Sequence, residues 1–252
     1  MDEKPLVSVL IAAYNEEDWI EKALESIVSQ TYKNIEIIVV DDGSTDDTLK
    51  ILETKRQEDR RINIITQENK GLTRSLNIGI SKCNGKYIAR MDADNISRKD
   101  RIQKQVTFLT KNADYTVVGS WRKEIDEKGN IKKRKFPVKN EEIKKWLIRA
   151  CVISHSAAMI QAHKLRHYMY DESFKTSQDY DLWVRMAKKE KFYNIPEFLT
   201  TAYNRKTGIT NSKKRKEAFK TKMRIKRKAL NNIKHPLHRK LWLLKPFYEL
   251  IR

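Results

Sequence analysis

The sequence predicts an α/β fold: a mostly parallel, doubly wound sheet with helices on both faces. Three observations predict it. Short apolar, β-branched runs alternate four times with segments of helical periodicity before residue 110. The runs are apolar at successive positions, as strands buried on both faces require. Three of the four runs end abruptly in polar residues, where ligands gather in such sheets.

Leu6 to Ala13 (LVSVLIAA) opens the series as a buried strand. Trp19, Ile20, Ala23, Leu24, Ile27 and Val28 follow with the spacing of one helix face. Ile35 to Val40 (IEIIVV) is the second strand and stops at Asp41-Asp42-Gly43. Ser44, with Asp47 three residues on, predicts a capped helix whose buried side is Leu49, Ile51 and Leu52. Ile62 to Ile65 is the third strand, and Gly71 precedes a helix with Leu72, Leu76 and Ile80 on one side. Tyr87 to Met91 is the fourth strand and stops at Asp92-Ala93-Asp94. Right-handed crossovers follow from strand twist.

The second half reads as more mixed. Arg101 to Leu109 is helical, Thr116 to Ser120 extended, and Glu124 to Lys135 a hairpin turning at Lys128-Gly129-Asn130. Glu141 to Arg149 and Gln178 to Lys188 are helical, and Tyr193 to Thr201 is extended. No repeat or Gly/Ser linker interrupts the chain, so residues 1–212 form one unit, a first half to about 110 and a second half from 111. Residues 213–252 form a separate basic tail.

Composition narrows the class. With 252 residues, 39% hydrophobic and 34% charged, the chain can bury a core and is not disordered. Seven Gly and five Pro exclude collagen-like and low-complexity designs. The net charge is +20, of which residues 213–252 carry +13. The body is therefore ordinary, and a nucleic-acid reading from charge alone would mislead. Cys83 and Cys151 lack zinc spacing and read as reduced thiols. The N-terminus reads as no signal peptide, and Leu241 to Ile251 is too short to span a bilayer. The expected location is cytoplasmic.

The chemistry sits at the strand ends. Asp92 and Asp94, two apart on an extended segment, would face one point and suit Mg²⁺ or Mn²⁺, which completes its shell with phosphate oxygens and water. A solvated loop with two acids is the plainer alternative. Asp41 could accept a base imide N–H, and Tyr14 either stacks on a base or merely packs. Asp42 has a turn or cap role before Gly43. Asp181 pairs with Arg185 on a solvent side, whereas Asp179 shares its helix face with Leu182, Trp183 and Met186 and points to core or cleft. It either caps the helix or acts as general base.

Together these residues resemble family 2 glycosyltransferases of the GT-A fold, a Rossmann-like architecture, in the bacterial capsule, exopolysaccharide and lipopolysaccharide branch. The matching stretches are VSVLIAAYNEE (Val7–Glu17), SIVSQTYKNIEIIVVDDGSTDDT (Ser26–Thr48), ENKGLTRSLNIGI (Glu68–Ile80), GKYIARMDADN (Gly85–Asn95), ISHSAAMI (Ile153–Ile160) and QDYDLWVRMA (Gln178–Ala187). They cover about residues 5 to 205 in the family's order. The resemblance implies inverting, hexosyltransferase-type transfer from a nucleotide-sugar, a UDP-sugar in the first instance, to a glycan or lipid-linked acceptor. It implies that Ala13, Tyr14 and Asp41 hold base and ribose, with Glu16 at the same edge. Asp94 would be the surer ligand of Mn²⁺ or Mg²⁺, with Asp92 and Ala93 completing the DxD. Asp179 would be the catalytic base, its neighbour Gln178 standing where the family has Glu. Its place at a helix N-terminus should lower its pKa. Arg74 and Lys70 could reach phosphate or base, and His155, with Trp183, would line the acceptor side or be structural. The family's Arg-x-His-like loop is replaced by Tyr203 to Gly208, where Lys206 could contact phosphate.

The tail combines Lys213–Lys216 and Arg224–Lys228 with Leu241–Leu244, Phe247 and Tyr248. Such a cationic, aromatic-ended segment suits an anionic membrane surface; folding back on the body is the alternative. No nucleic acid is expected as a partner. Two other readings compete. A sugar nucleotidyltransferase would want a Gly-rich phosphate loop after the first strand, where Tyr14-Asn15-Glu16-Glu17 stands. A polyanion- or RNA-binding protein would act through the tail. On the transferase reading, deleting residues 213–252 should spare catalysis on a soluble acceptor.

Overall fold

The computed structural model describes residues 4–203 and 215–233. Among them the strands are β1 (Val7–Ala13), β2 (Ile35–Asp41), β3 (Ile62–Thr66), β4 (Tyr87–Arg90), β5 (Asn95–Ser97), β6 (Val117–Ile125), β7 (Ile131–Arg134), β8 (Met159–Gln161) and β9 (Phe192–Tyr203). The helices are α1 (Ile20–Val28), α2 (Thr48–Glu58), α3 (Leu72–Lys82), α4 (Arg101–Lys111), α5 (Asn140–Leu147), α6 (Ala162–Tyr168), α7 (Gln178–Met186) and α8 (Arg215–Asn232).

One sheet holds the described strands, in the order β3-β2-β1-β4-β8-β6-β9-β5, with β7 on β6. The first four are parallel, as expected. Beyond β4 the sheet is mixed. β8 runs antiparallel to β4 and β6, β9 parallel to β6, and β5 antiparallel to β9. Three short segments were not legible: β5, β8 and α6. Each of the two strands spans only three residues, too few to show a period.

Side-chain alternation divides the core. Leu10, Ile38, Val40, Ile88, Val117 and Ile160 point to one face and pack with α3, α5, α7 and α8. Val9, Ile11, Ile37, Val39, Ala89 and Val118 point to the other and pack with α1 and α4. Both layers run through the first and second halves. Burial on both sides explains why the strands read as unbroken apolar runs.

Two local expectations are corrected. Ser44 does not cap α2, which starts at Thr48 after Asp47; its hydroxyl is taken by Asp41 instead. Asp181 is not on a solvent side. It pairs with Arg185 as expected, at 2.7 Å, but is fully buried and also receives the Lys228 ammonium of α8 at 2.7 Å.

That second contact shows that the tail's helical part folds back on the body. Ile225, Ala229 and Ile233 are buried in the layer that contains α7. Lys213, Lys214, Lys206 and the Leu241–Tyr248 stretch lie outside the described residues. No described helix is long and apolar enough to cross a membrane.

Candidate active site

The parallel register places the predicted strand ends side by side. Ala13 pairs with Asp41, and β4 leaves the sheet beside β1, the Met91 amide donating to the Leu10 carbonyl. The donor edge is laced from there. The Ser44 hydroxyl donates to Asp41 at 2.5 Å and accepts from the Asn15 amide at 3.1 Å. The Asn15 carboxamide accepts from the Thr45 amide at 2.8 Å, and the Glu16 amide donates to the Thr48 hydroxyl at 2.7 Å. Asn15 holds a left-handed φ of 54° to make this junction. Asp41 is buried, whereas Tyr14 is 47% exposed, so Tyr14 is not explained by core packing.

Among the described residues Asp42 makes no local turn bond at Gly43; it ties the end of β2 to the segment that leads into α3. Its carboxylate accepts from the Lys70 and Gly71 amides at 2.8 Å each and from the Gln67 carboxamide at 2.6 Å. Gly43 follows with φ 77°, and a Cβ there would sit 2.9 Å from the Asn69 nitrogen. Only glycine fits that approach without a backbone shift. Arg74 is tied to Glu172 at 2.9 Å in an exposed pair on α3.

The Asp92-Ala93-Asp94 segment is a turn rather than extended backbone, so the period-two argument for convergence does not apply. The Asn95 amide returns to the Asp92 carbonyl at 3.2 Å and its carboxamide reaches the Asp92 carboxylate at 3.3 Å. Arg90, 1% exposed, donates to Asp92 at 2.5 Å. Burial works against the Asp92 charge, but Arg90, with Arg122 further away, outweighs it and holds the carboxyl below the usual range. The Nε and Nη1 of Arg90 have no partner among the described residues.

The opposite wall comes from the second half. The His155 Nε2 and the Tyr170 hydroxyl are 2.7 Å apart. Burial, reinforced by Arg90, pushes the His155 pKa down to about 3, so the imidazole is neutral at physiological pH. Trp183 lies T-shaped to the same ring, 6.5 Å between centroids; it is fully buried and its indole N–H has no described partner. Arg122 donates to Ser154 at 3.2 Å and to Glu124 at 2.6 Å.

Asp179 sits in the first turn of α7, and the Cys151 thiol donates to it at 3.6 Å. Its pKa is raised, against the expectation from the helix terminus. Burial is the main cause and the Asp92 charge adds to it, while the Tyr180 amide and Cys151 oppose. Asp92 and Asp179 therefore feel each other across the junction of the two halves. Burial likewise pushes the Cys151 thiol up.

Sequence reasoning missed Arg90, Asn15, Tyr170, Arg122 and Cys151. Arg90 had a signal: a cation inside a buried strand needs an anionic partner, and Asp92 is two residues on. The others are brought in by tertiary contacts alone.

Among the described residues no group of three or more His, Cys, Asp or Glu is arranged to hold a metal ion. Asp92 and Asp94 offer hard oxygens in a short turn. Such a two-carboxylate set fits a cation whose remaining ligands are phosphate oxygens and water, not a closed protein cage.

A sheet whose neighbouring parallel strands end in polar residues belongs to the α/β class that binds ligands at the carboxyl edge of the sheet. Residues 8–169 match the model of Glycosyl transferase family 2, and the chain belongs to that family as a glycosyltransferase. It is 36% identical over 244 residues to an uncharacterized glycosyltransferase of Haemophilus influenzae, covering 91% of this chain and 75% of that one. It is 29% identical over 237 residues to the amylovoran biosynthesis glycosyltransferase AmsE of Erwinia amylovora, covering 88% and 87%. The fold matches that of Staphylococcus aureus TarS in complex with UDP-GlcNAc, with TM-score 0.77, 20% identity, and 96% and 71% of the two chains covered. It also matches mannosyltransferase PcManGT of Pyrobaculum calidifontis in complex with GDP-Man and Mn²⁺, with TM-score 0.70, 18% identity, and 99% and 73% covered.

Proposed function

We propose that the protein transfers a sugar, with inversion, from a UDP-sugar to a glycan or lipid-linked acceptor in the synthesis of a bacterial surface polysaccharide. The observations that carry the reading are the match of residues 8–169 to Glycosyl transferase family 2 and the polar ends of β1, β2 and β4, which the parallel register sets side by side. Asp92 at the end of β4 and Asp179 at the start of α7 come from distant parts of the chain, and their environments drive their pKa values in opposite directions. That divergence suits a permanent anion beside a proton acceptor.

In this reading residues 1–110 hold the donor. Ala13, Tyr14, Glu16 and Asp41, with Asn15 and Ser44, form the edge for base and ribose. Arg74 could reach the donor after leaving Glu172. Asp94 and Asp92 would hold Mn²⁺ or Mg²⁺, and the ion would neutralise charge on the departing diphosphate. The Mn²⁺ in the PcManGT complex and the hard-oxygen donor set support this. Residues 111–212 present the acceptor. Asp179 takes the acceptor hydroxyl proton, and its raised pKa makes the ionised carboxylate a better base. His155, held by Tyr170, borders this wall as a neutral imidazole, with Trp183 behind it. AmsE supports a polysaccharide acceptor. The cationic residues of 213–252 would hold the enzyme to an anionic membrane on its cytoplasmic face.

A thermal-shift screen of nucleoside diphosphates and nucleotide-sugars, with and without Mn²⁺, tests the donor half. A UDP-dependent rise that needs the cation supports the reading. A response indifferent to base, diphosphate and cation refutes it.

A further inference from the structure

We propose that Lys228 of α8 is a positioning residue for the acceptor-side wall, acting through Asp181 to fix the first turn of α7. The proposal rests on the reading of Asp179 as the base.

Asp181 is fully buried, and its two oxygens are used by different elements. One receives Lys228 Nζ at 2.7 Å and the other Arg185 Nε at 2.7 Å. Arg185 in turn donates to the Tyr168 and Met169 carbonyls, each at 2.6 Å. Met169 has φ 44°, a strained turn that delivers Tyr170 to His155. One buried carboxylate thus links α8, α7 and the segment that aims the His155 partner.

The same cation holds the approach to α7. Lys228 and Arg224 both lie 4.8 Å from the Phe174 ring, and Lys228 is 3.8 Å from Asp171. The Phe174 carbonyl accepts from Thr73 of α3 at 2.8 Å, so the loop before α7 is gripped from the donor side as well. Asp179 stands two residues before Asp181 on a helix of only nine residues. A charge-assisted bond in a buried site is directional, and its loss lets the anchored turn move. A shift of about 1 Å at a reacting group costs on the order of a hundredfold in rate.

The test compares wild type, Lys228→Met, Lys228→Arg and Lys228→Met/Asp181→Asn in the full chain. The double variant removes the charge that Lys228 offsets, while the carboxamide oxygen introduced at position 181 can still accept from Arg185, so it should recover part of the melting temperature that Lys228→Met loses. Two readouts are taken below the melting transition: kcat of transfer with the KM for donor, and the rate at which iodoacetamide alkylates Cys151, which touches Asp179. We expect kcat to fall about ten- to a hundredfold in Lys228→Met and to stay low in the double variant, with donor KM within about twofold. Lys228→Arg should restore most of it. Cys151 should alkylate faster in both Met variants. If kcat returns with melting temperature in the double variant, Lys228 is merely structural. If Cys151 reacts at the wild-type rate in the Met variants, the positioning role is overturned, whether or not the wild type transfers the sugar supplied. A wild type that binds no nucleotide sugar refutes the donor reading instead.

Discussion

The two halves of the molecule build their shares of the site differently. In the first half the candidate residues, Arg74 on α3 apart, stand at or just beyond the end of a buried strand, within a few residues of the run that positions them. In the second half Cys151, His155, Tyr170 and Asp179 stand on loops and short helices, and bonds between distant segments hold them. Strand ends are placed by the sheet itself, whereas this wall depends on every tie that crosses it. The donor half should therefore tolerate loss of one polar contact better than the acceptor wall does.

The largest expected effect is at Asp179. Asp179→Asn should lower kcat by about 10²- to 10⁴-fold and leave nucleotide affinity unchanged. An equal loss of both would dissolve the division of labour. Stability should move the other way. The folded-state pKa of Asp179 lies above its unfolded value, so the ionised carboxylate destabilises the fold as pH rises through and beyond about 4. The Asn variant should melt higher than wild type at neutral pH, and the gap should close below that value. The wild-type kcat should carry an acid limb whose midpoint is displaced upward from that of a free aspartate.

Asp94→Ala comes next, with a loss of about 10²- to 10³-fold, seen in both turnover and cation-dependent nucleotide binding. Full activity in a chelator would remove the carboxylate pair from the mechanism.

Truncation sharpens the contrast. The expectation that deleting residues 213–252 spares catalysis does not survive the structure. It would remove Ile225, Ala229 and Ile233, expose the apolar surface they cover beside α7, and leave Asp181 with Arg185 alone. We expect a loss of about 3 kcal/mol or more, because a buried charge loses one of its partners. Ending the chain after Ile233 should retain the fold and turnover, so membrane recruitment can be assayed on that form by vesicle sedimentation.

The smallest effect is expected at Ser44. Ser44→Ala removes one hydroxyl bond to Asp41 and should cost about 1 kcal/mol in stability or in nucleotide affinity. A loss as large as that of Asp179→Asn would contradict the comparison.

The difference between the halves also explains what the sequence could reveal. The apolar runs ending at Ala13, Asp41 and Arg90 carry their own register, so the parallel sheet and its polar ends were legible. Asp42 read only in part, because its bonds reach residues 67 to 71 rather than the turn beside it. Asp181 did not. Its i,i+4 partner was visible, but a helix wheel says nothing of Lys228 arriving on the same carboxylate from α8. The direction of the Asp179 shift was missed for the same reason. The helix terminus is local, whereas burial and the Asp92 charge are not. The three-residue strands β5 and β8 have meaning only beside their partners.

One of those short strands carries a consequence for how the protein comes into being. β5 begins immediately after Asp94, and its ladder is closed by β9, with Asn95 opposite Ala202. The aspartate turn therefore gains its far support only when nearly two hundred residues have left the ribosome. The earlier strands can pair as they emerge, but the nascent donor half should not grip its nucleotide until that late ribbon docks. On the proposed reading, a polypeptide cut short before β9 should bind no nucleotide-sugar.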